Sequence, residues 1–288
     1  MAVVGAAGVA VLLWGATPMV TKIAVGGIDP LAIGILRTVL GALVALPVFV
    51  AGGLRLPRGA RTWRTLMASA MGGFVLFPLL FTLGMGRTSA GHGALMLGIL
   101  PVFTGLVAAA VERRRPGPRW WLGCAVAAVG TALLAGARFG ADLDQADALG
   151  DGLVLAGALA ASVGYVAGAR AAREIGTWQV TLWGLIMGGL VLVPIVPLVV
   201  APAALIEAGA ATLAAVAYLA VGSSIVAYAA WYWALGHGGI GRTGLAQFAQ
   251  PLVGLVMAVA VLGEAVTLPM GLAAAAILGG VALARGSA

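Results

Sequence analysis

The chain has 288 residues, of which 62% are hydrophobic and 9% are charged, and its mean hydropathy is +1.11. Soluble globular proteins carry about 25% charged residues, so this composition excludes an ordinary soluble domain and indicates a membrane protein. A net charge of +7 would suggest nucleic-acid binding in a soluble domain. In so apolar a chain it indicates basic loops between membrane spans, so we expect a lipid bilayer as partner and no nucleic acid.

The apolar residues come in uninterrupted runs of about 20, the length of a membrane-spanning helix. An outer-membrane β-barrel would instead show alternating segments of about 10 residues. Residues 1–25 lack the basic start of a signal peptide, because their first positive charge is Lys22, so we interpret them as a retained first helix. The single cysteine, Cys124, allows no intrachain disulfide. The sequence therefore predicts an all-α, polytopic membrane protein.

In chain order the sequence predicts ten spans, at residues 3–22, 31–52, 65–84, 89–110, 119–137, 151–170, 178–200, 212–235, 243–262 and 266–284. Segments that contain Pro, Gly or charged residues separate them. Spans three and four are joined by little more than residues 86–88, and spans nine and ten meet at 263–264. We therefore expect each of these two pairs to form a tight hairpin.

Basic residues are distributed unevenly between the two ends of these spans. With a cytoplasmic N-terminus, Lys22, Arg87 and Arg138 lie outside and Arg37 lies within a span, while the other twelve of the sixteen basic residues lie inside. Cytoplasmic loops carry the excess of Lys and Arg, so we expect both termini in the cytoplasm. The twelve inner positions are Arg55, Arg58, Arg61, Arg64, Arg113, Arg114, Arg115, Arg119, Arg170, Arg173, Arg242 and Arg285.

The segment GALVALP at 41–47 returns as GGLVLVP at 188–194, 147 positions later. Further landmarks recur at offsets of 147 to 150 positions: Lys22 with Arg170, Thr65-Leu66 with Thr212-Leu213, Pro101 with Pro251, and Gly123 with Gly271. This near-constant offset predicts a duplication. Its first five-helix repeat is expected at 1–137, a periplasmic linker at 138–150 and the second repeat at 151–288.

Because each repeat holds an odd number of spans, the second repeat enters the membrane upside down. Inverted repeats of this kind are related by a pseudo-two-fold axis in the membrane plane, and exchanging their conformations converts an inward-open state into an outward-open one. The sequence therefore predicts a transporter that works by alternating access.

Three segments also carry a family resemblance: LLWGATPMVTKIA at 12–24 with Arg37 in the second span, the run at 89–114, and LAQFAQPLVGLVMAVAVLGE at 245–264. They resemble EamA domains of the drug/metabolite transporter superfamily, two in tandem over nearly the whole chain. The chain departs from that pattern where Glu112 follows Val111 and at 162–165. The resemblance implies ten helices, bacterial inner-membrane residence and export of small metabolites, often amino acids. It leaves amino acids, drugs, sugar phosphates and nucleotide sugars open as substrates.

Polar or aromatic side chains deep in a span are the candidates for a substrate cavity, since a polar group without a partner is costly in hydrocarbon. The spans that carry them are those that, by the resemblance, surround the central cavity. The candidates are Trp14, Thr17, Phe74, Phe77, Phe81, His92, Met96, Ser162, Tyr165, Ser224, Tyr228, Gln247 and Gln250. An aromatic, nearly uncharged cavity suits a zwitterionic solute with an apolar side chain, and suits a sugar phosphate poorly, which would require paired basic residues.

Each candidate has a structural alternative. The phenylalanine stripe could pack helices or contact lipid, Trp14 could anchor its span at the interface, and the two glutamines could bond between helices. Tyr228 could likewise belong to an interfacial aromatic belt. For the adjacent Trp231, Tyr232 and Trp233 near a span end, we expect that belt to hold at least two.

Two charged or titratable residues need separate treatment. Arg37 lies about 10 Å deep in its span at 1.5 Å per residue, so it should either extend toward the headgroups or find an acceptor. It is either a structural anchor or a gating or substrate-carboxylate contact, and its counterpart in the second repeat is Gly184. His92 lies near the outer surface, where a proton relay is one interpretation. We expect the other, a water-exposed interfacial histidine.

Prolines mark the expected bends. Pro101 in LGILP and Pro251 in FAQP occupy matching positions of the two repeats, and Pro78 lies beside the phenylalanine stripe. Proline removes a helical hydrogen bond, which membrane proteins tolerate next to cavities. Bends at these three positions would serve rocking motions during transport.

Other functions fit less well. Ser223 and Ser224 lack the second glycine of a nucleophile elbow, the two histidines lack metal-ligand spacing, and a channel would require a polar filter ring. We therefore expect no enzyme, no metal and no cofactor. The preferred function is export of amino acids with apolar or aromatic side chains, as a facilitator or weakly coupled exporter. The alternative is export of drugs, in particular aromatic cations. The protein is expected to be a monomer or a weak homodimer.

Overall fold

In the computed structural model, residues 2–51, 56–113, 117–136, 148–238 and 245–285 are described. These ranges contain ten long helical segments and, in the described residues, no strand. The segments are α1 (Ala2–Val25), α2 (Pro30–Ala51), α3 (Ala60–Met85), α4 (Ala90–Glu112), α5 (Pro118–Gly136), α6 (Ala148–Ile175), α7 (Thr177–Val199), α8 (Ala210–Gly238), α9 (245–262) and α10 (Leu268–Arg285). A short helix, Pro202–Glu207, lies between α7 and α8.

The predicted spans are confirmed, with helix ends that differ from the prediction by at most five residues. The largest differences are the start of α3 and the end of α6, where the helices continue beyond the apolar run because charged side chains there can reach water. Gly59 and Gly176, with φ of 86° and 91°, stand just before α3 and just after α6. The predicted linker up to residue 147, and Arg55, Arg114, Arg115, Arg138 and Arg242, lie outside the described residues.

The main helix contacts made by one repeat have matching contacts made by the other repeat. Helix α1 packs against α8 and α9, and its counterpart α6 packs against α3 and α4. The remaining pairs join matching helices of the two repeats: α2 with α7, α4 with α9, and α5 with α10. Each repeat is therefore interlocked with the other, because the most extensive helix contacts join the two repeats.

The recurring glycines of the duplicated segments lie at these crossings. A Cβ at Gly41 would lie 3.1 Å from the carbonyl oxygen of Ala220, and a Cβ at Gly188 would lie 3.2 Å from Cβ of Phe74. Each glycine thus allows the second helix of one repeat to approach the third helix of the other. The repetition seen in the sequence records a packing contact that occurs twice.

The third helix of each repeat contains a π-helix, at Ala70–Leu76 in α3 and Tyr218–Val226 in α8. At their ends the amide of Phe77 donates to the carbonyl of Gly72 and the amide of Ala227 donates to that of Gly222, the five-residue spacing of a π-helix. Glycine and serine in these segments are weak α-helix formers, which lowers the cost of the wider turn. Short 3₁₀ segments also match, at Leu97–Ile99 and Leu245–Ala249.

Seven of the helices are long and apolar enough to cross a membrane by length and composition, and α9 and α10 contain shorter apolar stretches. Large apolar side chains such as Leu190 and Leu198 remain 69% and 83% exposed on the outside of the bundle. A surface of this kind is suited to lipid rather than water. The chain is a multi-pass helical membrane protein.

Candidate substrate site

Trp14 stands at the centre of a group of aromatic rings contributed by both repeats. Its ring stacks on Tyr165 with centroids 5.4 Å apart and meets the edges of Tyr228 and Trp231 at 5.0 and 5.7 Å. Phe74 lies 4.3 Å from Tyr228. We call these rings, together with Tyr232 at 5.9 Å from Tyr228, the aromatic cluster. Its members come from α1, α3, α6 and α8, and every one is at most 6% exposed.

A polar group adjoins the aromatic cluster on one side. Nη2 of Arg37 donates to Oγ of Ser223 at 3.0 Å and, at 3.5 Å, to Oγ of Ser224. Oγ of Ser223 also lies 3.1 Å from Oγ1 of Thr17, and the Arg37 guanidinium lies 5.7 Å above the Phe77 ring. Arg37 is 1% exposed, so it found acceptors inside the bundle instead of extending toward the headgroups.

Both π-helices present backbone carbonyls to the aromatic cluster. Nε1 of Trp14 donates to the carbonyl of Ser223 at 3.0 Å, and the hydroxyl of Tyr228 donates to the carbonyl of Gly73 at 2.9 Å. Ser223 and Gly73 are matching positions, 150 residues apart. The ring donors are thus fixed by the irregular backbone of the helices, which orients the rings toward one another.

Other predicted site residues lie around this centre or away from it. Phe81 is fully buried and continues from Phe77, with ring centroids 5.3 Å apart. Met96 is also fully buried. Ser162 donates to the carbonyls of Leu100 and Ala158 and accepts from Thr104, so it ties α6 to α4.

Gln247 and Gln250 lie on α9, which packs against α1. Gln247 is 3% exposed, and the Nε2 atoms of both glutamines have no hydrogen-bond partner among the described residues. Pro101 and Pro251 each lie two residues after a 3₁₀ segment, and Pro78 lies two residues after the π-helix of α3. The bends at these prolines stay a prediction.

Two expectations about aromatic and titratable residues are wrong. Trp231 and Tyr232 are 2% and 1% exposed and belong to the aromatic cluster, so an interfacial belt does not hold two of the three adjacent residues. The facing helices bury them because α8 lies at the centre of the bundle. His92 is not water-exposed: it is 4% exposed, and its Nε2 lies 2.9 Å from Oδ1 of Asp151.

The contact between His92 and Asp151 belongs to a set of charged contacts at the end of the bundle that holds Lys22. Nζ of Lys22 donates to the carbonyl of Thr88 at 2.8 Å. The carboxylate of Glu264 accepts from the amides of Ala90 and Gly91 at 2.8 and 2.7 Å, which satisfies the start of α4. Helices α1, α4 and α6 and the turn before α10 are therefore joined here by ionic groups.

Sequence reasoning missed Ser223, Trp231, Tyr232 and Asp151 as parts of these contacts. Ser223 is not found from α-helical periodicity, because the π-helix brings residues five apart onto one side. The GSS segment at 222–224 was the available signal, since two adjacent serines mid-span need partners. Asp151 lies at the first residue of a predicted span, where a carboxylate is expected to face water and not to bond another side chain.

No group of three His, Cys, Asp or Glu side chains that could hold a metal ion occurs in the part of the chain that the structure describes. Cys124 is a buried free thiol on α5. The arrangement offers instead ring faces, hydroxyls, a guanidinium and amides. These are groups that bind an organic solute.

The comparison with protein families decides what kind of protein this is. The model of the EamA-like transporter family matches twice, at residues 2–136 and 148–286, which together span nearly the whole chain. The chain belongs to the EamA-like transporter family. As a member of this family it is a membrane transporter of the drug/metabolite transporter superfamily, with two repeats of helices.

Similar proteins are consistent with this EamA membership. The chain is 28% identical over 263 residues to the uncharacterized transporter YdeK of Bacillus subtilis (strain 168), covering 90% of this chain and 88% of YdeK. It is 29% identical over 153 residues to the uncharacterized transporter YwfM of the same organism, covering 52% and 51%. A solved crystal structure matches with a TM-score of 0.70 over 98% of this chain and 97% of that one, at 21% identity, which shows the fold alone.

Proposed function

We propose that this EamA transporter exports small metabolites, and that its substrates are amino acids with apolar or aromatic side chains. The observation that carries the proposal is the position of the aromatic cluster: its rings come from both repeats and are fixed by carbonyls of both π-helices. A solute held there touches both repeats at once. Alternating access requires a site in this position, since the repeats move about it.

The chemistry of the site favours a zwitterion with an apolar side chain. Trp14, Tyr165 and Tyr228 offer stacking surfaces for such a side chain. Thr17, Ser223 and Gln247 offer polar contacts close to the same helices. Arg37 is the one buried Lys or Arg among the described residues, and it does not by itself supply the paired basic residues that a sugar phosphate requires.

Aromatic cations are the second candidate class, because ring faces attract cations. The buried guanidinium of Arg37 beside the aromatic cluster disfavours them, since a second positive charge at this depth would be repelled. Drug export is therefore the outcome that the experiment below is designed to distinguish.

The proposal includes location and assembly. We place the protein in a bacterial inner membrane with both termini in the cytoplasm, because the basic residues favour that orientation. The repeats are assigned to 1–137 and 151–288 around a periplasmic linker, and the protein is taken as a monomer or a weak homodimer. Fusion of alkaline phosphatase to residue 288 tests the orientation, because this reporter should be inactive if the C-terminus is cytoplasmic.

The decisive measurement is uptake into proteoliposomes of the purified protein, with a panel of radiolabelled amino acids and aromatic cations, each with and without a pH gradient. We expect saturable flux of phenylalanine, leucine or tryptophan that does not depend on the gradient. Saturable flux of the cations alone would replace the proposed function with drug export. No saturable flux of any amino acid would rule out the proposed substrate class.

A further inference from the structure

Arg37 is the one charged side chain of α2 and is buried at the centre of the bundle. Arg37 is 1% exposed. Its neighbours are the hydroxyls of Thr17, Ser223 and Ser224 and the ring of Phe77. A charged group at such depth is costly unless hydrogen bonds and an opposite charge compensate it.

The compensation is incomplete. A guanidinium carries five N–H donors, and in this structure only Nη2 donates, to the two serine hydroxyls. The Nε and Nη1 atoms have no hydrogen-bond partner among the described residues. Both serines are neutral acceptors, and no carboxylate of the described residues accepts a bond from Arg37. The cation therefore keeps three free N–H donors and its full charge.

From this geometry we infer that Arg37 is an anion subsite that binds the carboxylate of the transported molecule, with Ser223 holding the guanidinium in position. This inference rests on the proposed function and narrows it, because it makes a carboxylate the group by which the substrate is recognised. A carboxylate supplies two acceptor oxygens and the missing negative charge, which is the group that an arginine fork recognises.

The surroundings of the subsite fit this ligand. Ser223 is the shared contact, because its Oγ accepts from Arg37 while its carbonyl accepts from Nε1 of Trp14. The guanidinium of Arg37 and the indole of Trp14 are thus hydrogen-bonded to the same residue. A molecule whose carboxylate meets Arg37 has its side chain directed along the faces of the aromatic cluster.

The position of the subsite also links binding to the repeats. Arg37 belongs to the first repeat and Ser223 to the second, so their hydrogen bond crosses between the two units. A carboxylate that binds Arg37 changes the charge at this crossing. The substrate would therefore be recognised at a contact made by both repeats.

The test uses purified protein in detergent and the quenching of tryptophan fluorescence, since Trp14 and Trp231 lie in the aromatic cluster. Three probes share one ring: phenylalanine, 3-phenylpropionate and phenylalaninamide. We expect wild-type protein to bind the two carboxylates at least about tenfold more tightly than the amide, the size expected for hydrogen bonds to a charged group. Equal affinity for the acid and the amide in wild-type protein would overturn the subsite without any variant.

The variants isolate the guanidinium. Arg37→Gln should weaken phenylalanine binding about tenfold or more. It should not weaken the binding of phenylalaninamide, which has no carboxylate and whose amine no longer meets a second positive charge. Arg37→Lys should recover part of the difference, because it restores the charge without the planar fork. Arg64→Gln removes the same charge from an exposed position of α3 and serves as the matched control.

Ser223→Ala is the second variant in case Arg37→Gln does not fold. It leaves the guanidinium in place but removes its anchor, so it should reduce the preference for acid over amide. Retention of the full preference in Arg37→Gln, or in Ser223→Ala where Arg37→Gln does not fold, would contradict the assignment. If no amino acid is transported but 3-phenylpropionate binds in an Arg37-dependent manner, the anion subsite stands and the amino-acid proposal fails.

Discussion

The π-helices of α3 and α8 have the same backbone and different chemistry. Both end with a five-residue hydrogen bond at matching positions, and both offer a carbonyl, of Gly73 or Ser223, to a ring of the aromatic cluster. The π-helix of α3 carries glycine and apolar side chains at its centre. That of α8 carries Ser223 and Ser224, which hold Arg37.

This difference shows what symmetry does and does not determine in the molecule. The duplicated backbone determines the helix crossings, which are alike in the two repeats. The side-chain contacts of Arg37 occur in one copy only. Arg37 faces Ser223, whereas its counterpart Gly184 leaves room for the ring of Phe74, since a Cβ there would lie 2.5 Å from that ring. The polar side chains around Arg37 are thus asymmetric, although the helix crossings that surround them are symmetric.

The largest expected effect comes from placing a side chain at Gly164, where α6 packs against the first π-helix. A Cβ at Gly164 of α6 would lie 2.5 Å from the backbone nitrogen of Gly73. Gly164→Leu should therefore separate α6 from α3 at a cost of about 3 kcal/mol, the upper range for overpacking. The measurement is the yield of monodisperse protein and its Tm in detergent.

Gly152→Leu is the matched control, because Gly152 lies on the same helix with nothing within 4 Å of an added Cβ. Equal yields and Tm values for the two variants would show that the α3–α6 contact is not as close as described.

The next effect concerns the carbonyl of the second π-helix. Trp14→Phe keeps an aromatic ring but removes the Nε1 donor, which leaves the buried carbonyl of Ser223 without this bond. We expect a loss of about 2 kcal/mol in stability and a greater loss of transport, because the ring that remains is also smaller. Trp178→Phe, at a position that is 47% exposed, controls for the loss of an indole. Wild-type transport by Trp14→Phe would remove this residue from the site.

A smaller effect is expected at the first π-helix. Tyr228→Phe removes one hydroxyl bond to Gly73 and keeps the ring, so it should cost about 1 kcal/mol and lower transport less than Trp14→Phe does. Tyr218→Phe loses a hydroxyl bond to Leu13 instead and is the reference for stability alone. If Tyr228→Phe lowered transport more than Trp14→Phe does, the first π-helix and not the second would make the more important carbonyl contact.

The smallest change in stability is expected for Gln247. Its position matches the apolar Leu97 of the first repeat at an offset of 150 residues, and its buried Nε2 has no partner among the described residues. Gln247→Met should therefore leave Tm unchanged or slightly raised, within about 0.5 kcal/mol, because an unpaired buried donor is removed. Transport should fall severalfold if the amide serves the substrate. A drop in Tm with unchanged transport would assign the glutamine to packing.

The helices and their duplication could be predicted from the sequence, because both depend on apolar run length and on a constant offset. Trp14, Tyr165 and Tyr228 were found as candidates because aromatic residues deep in a span are conspicuous. Ser223 was not, since its role depends on a π-helix that α-helical periodicity does not reveal. The partnership of His92 with Asp151 could not be predicted either, because it joins residues 59 positions apart on helices of different repeats.

The π-helices hold their bonds one residue further along the chain than an α-helix does. Were the bond from Ala227 to return to α-helical spacing, everything beyond it in α8 would turn by about 100°, the rotation of one residue. The turn would carry three rings of α8 together away from Trp14, those of Tyr228, Trp231 and Tyr232. The same change in α3 would turn Phe77 and Phe81. A single shift of hydrogen-bond register in either helix thus suffices to replace one face of the site by another.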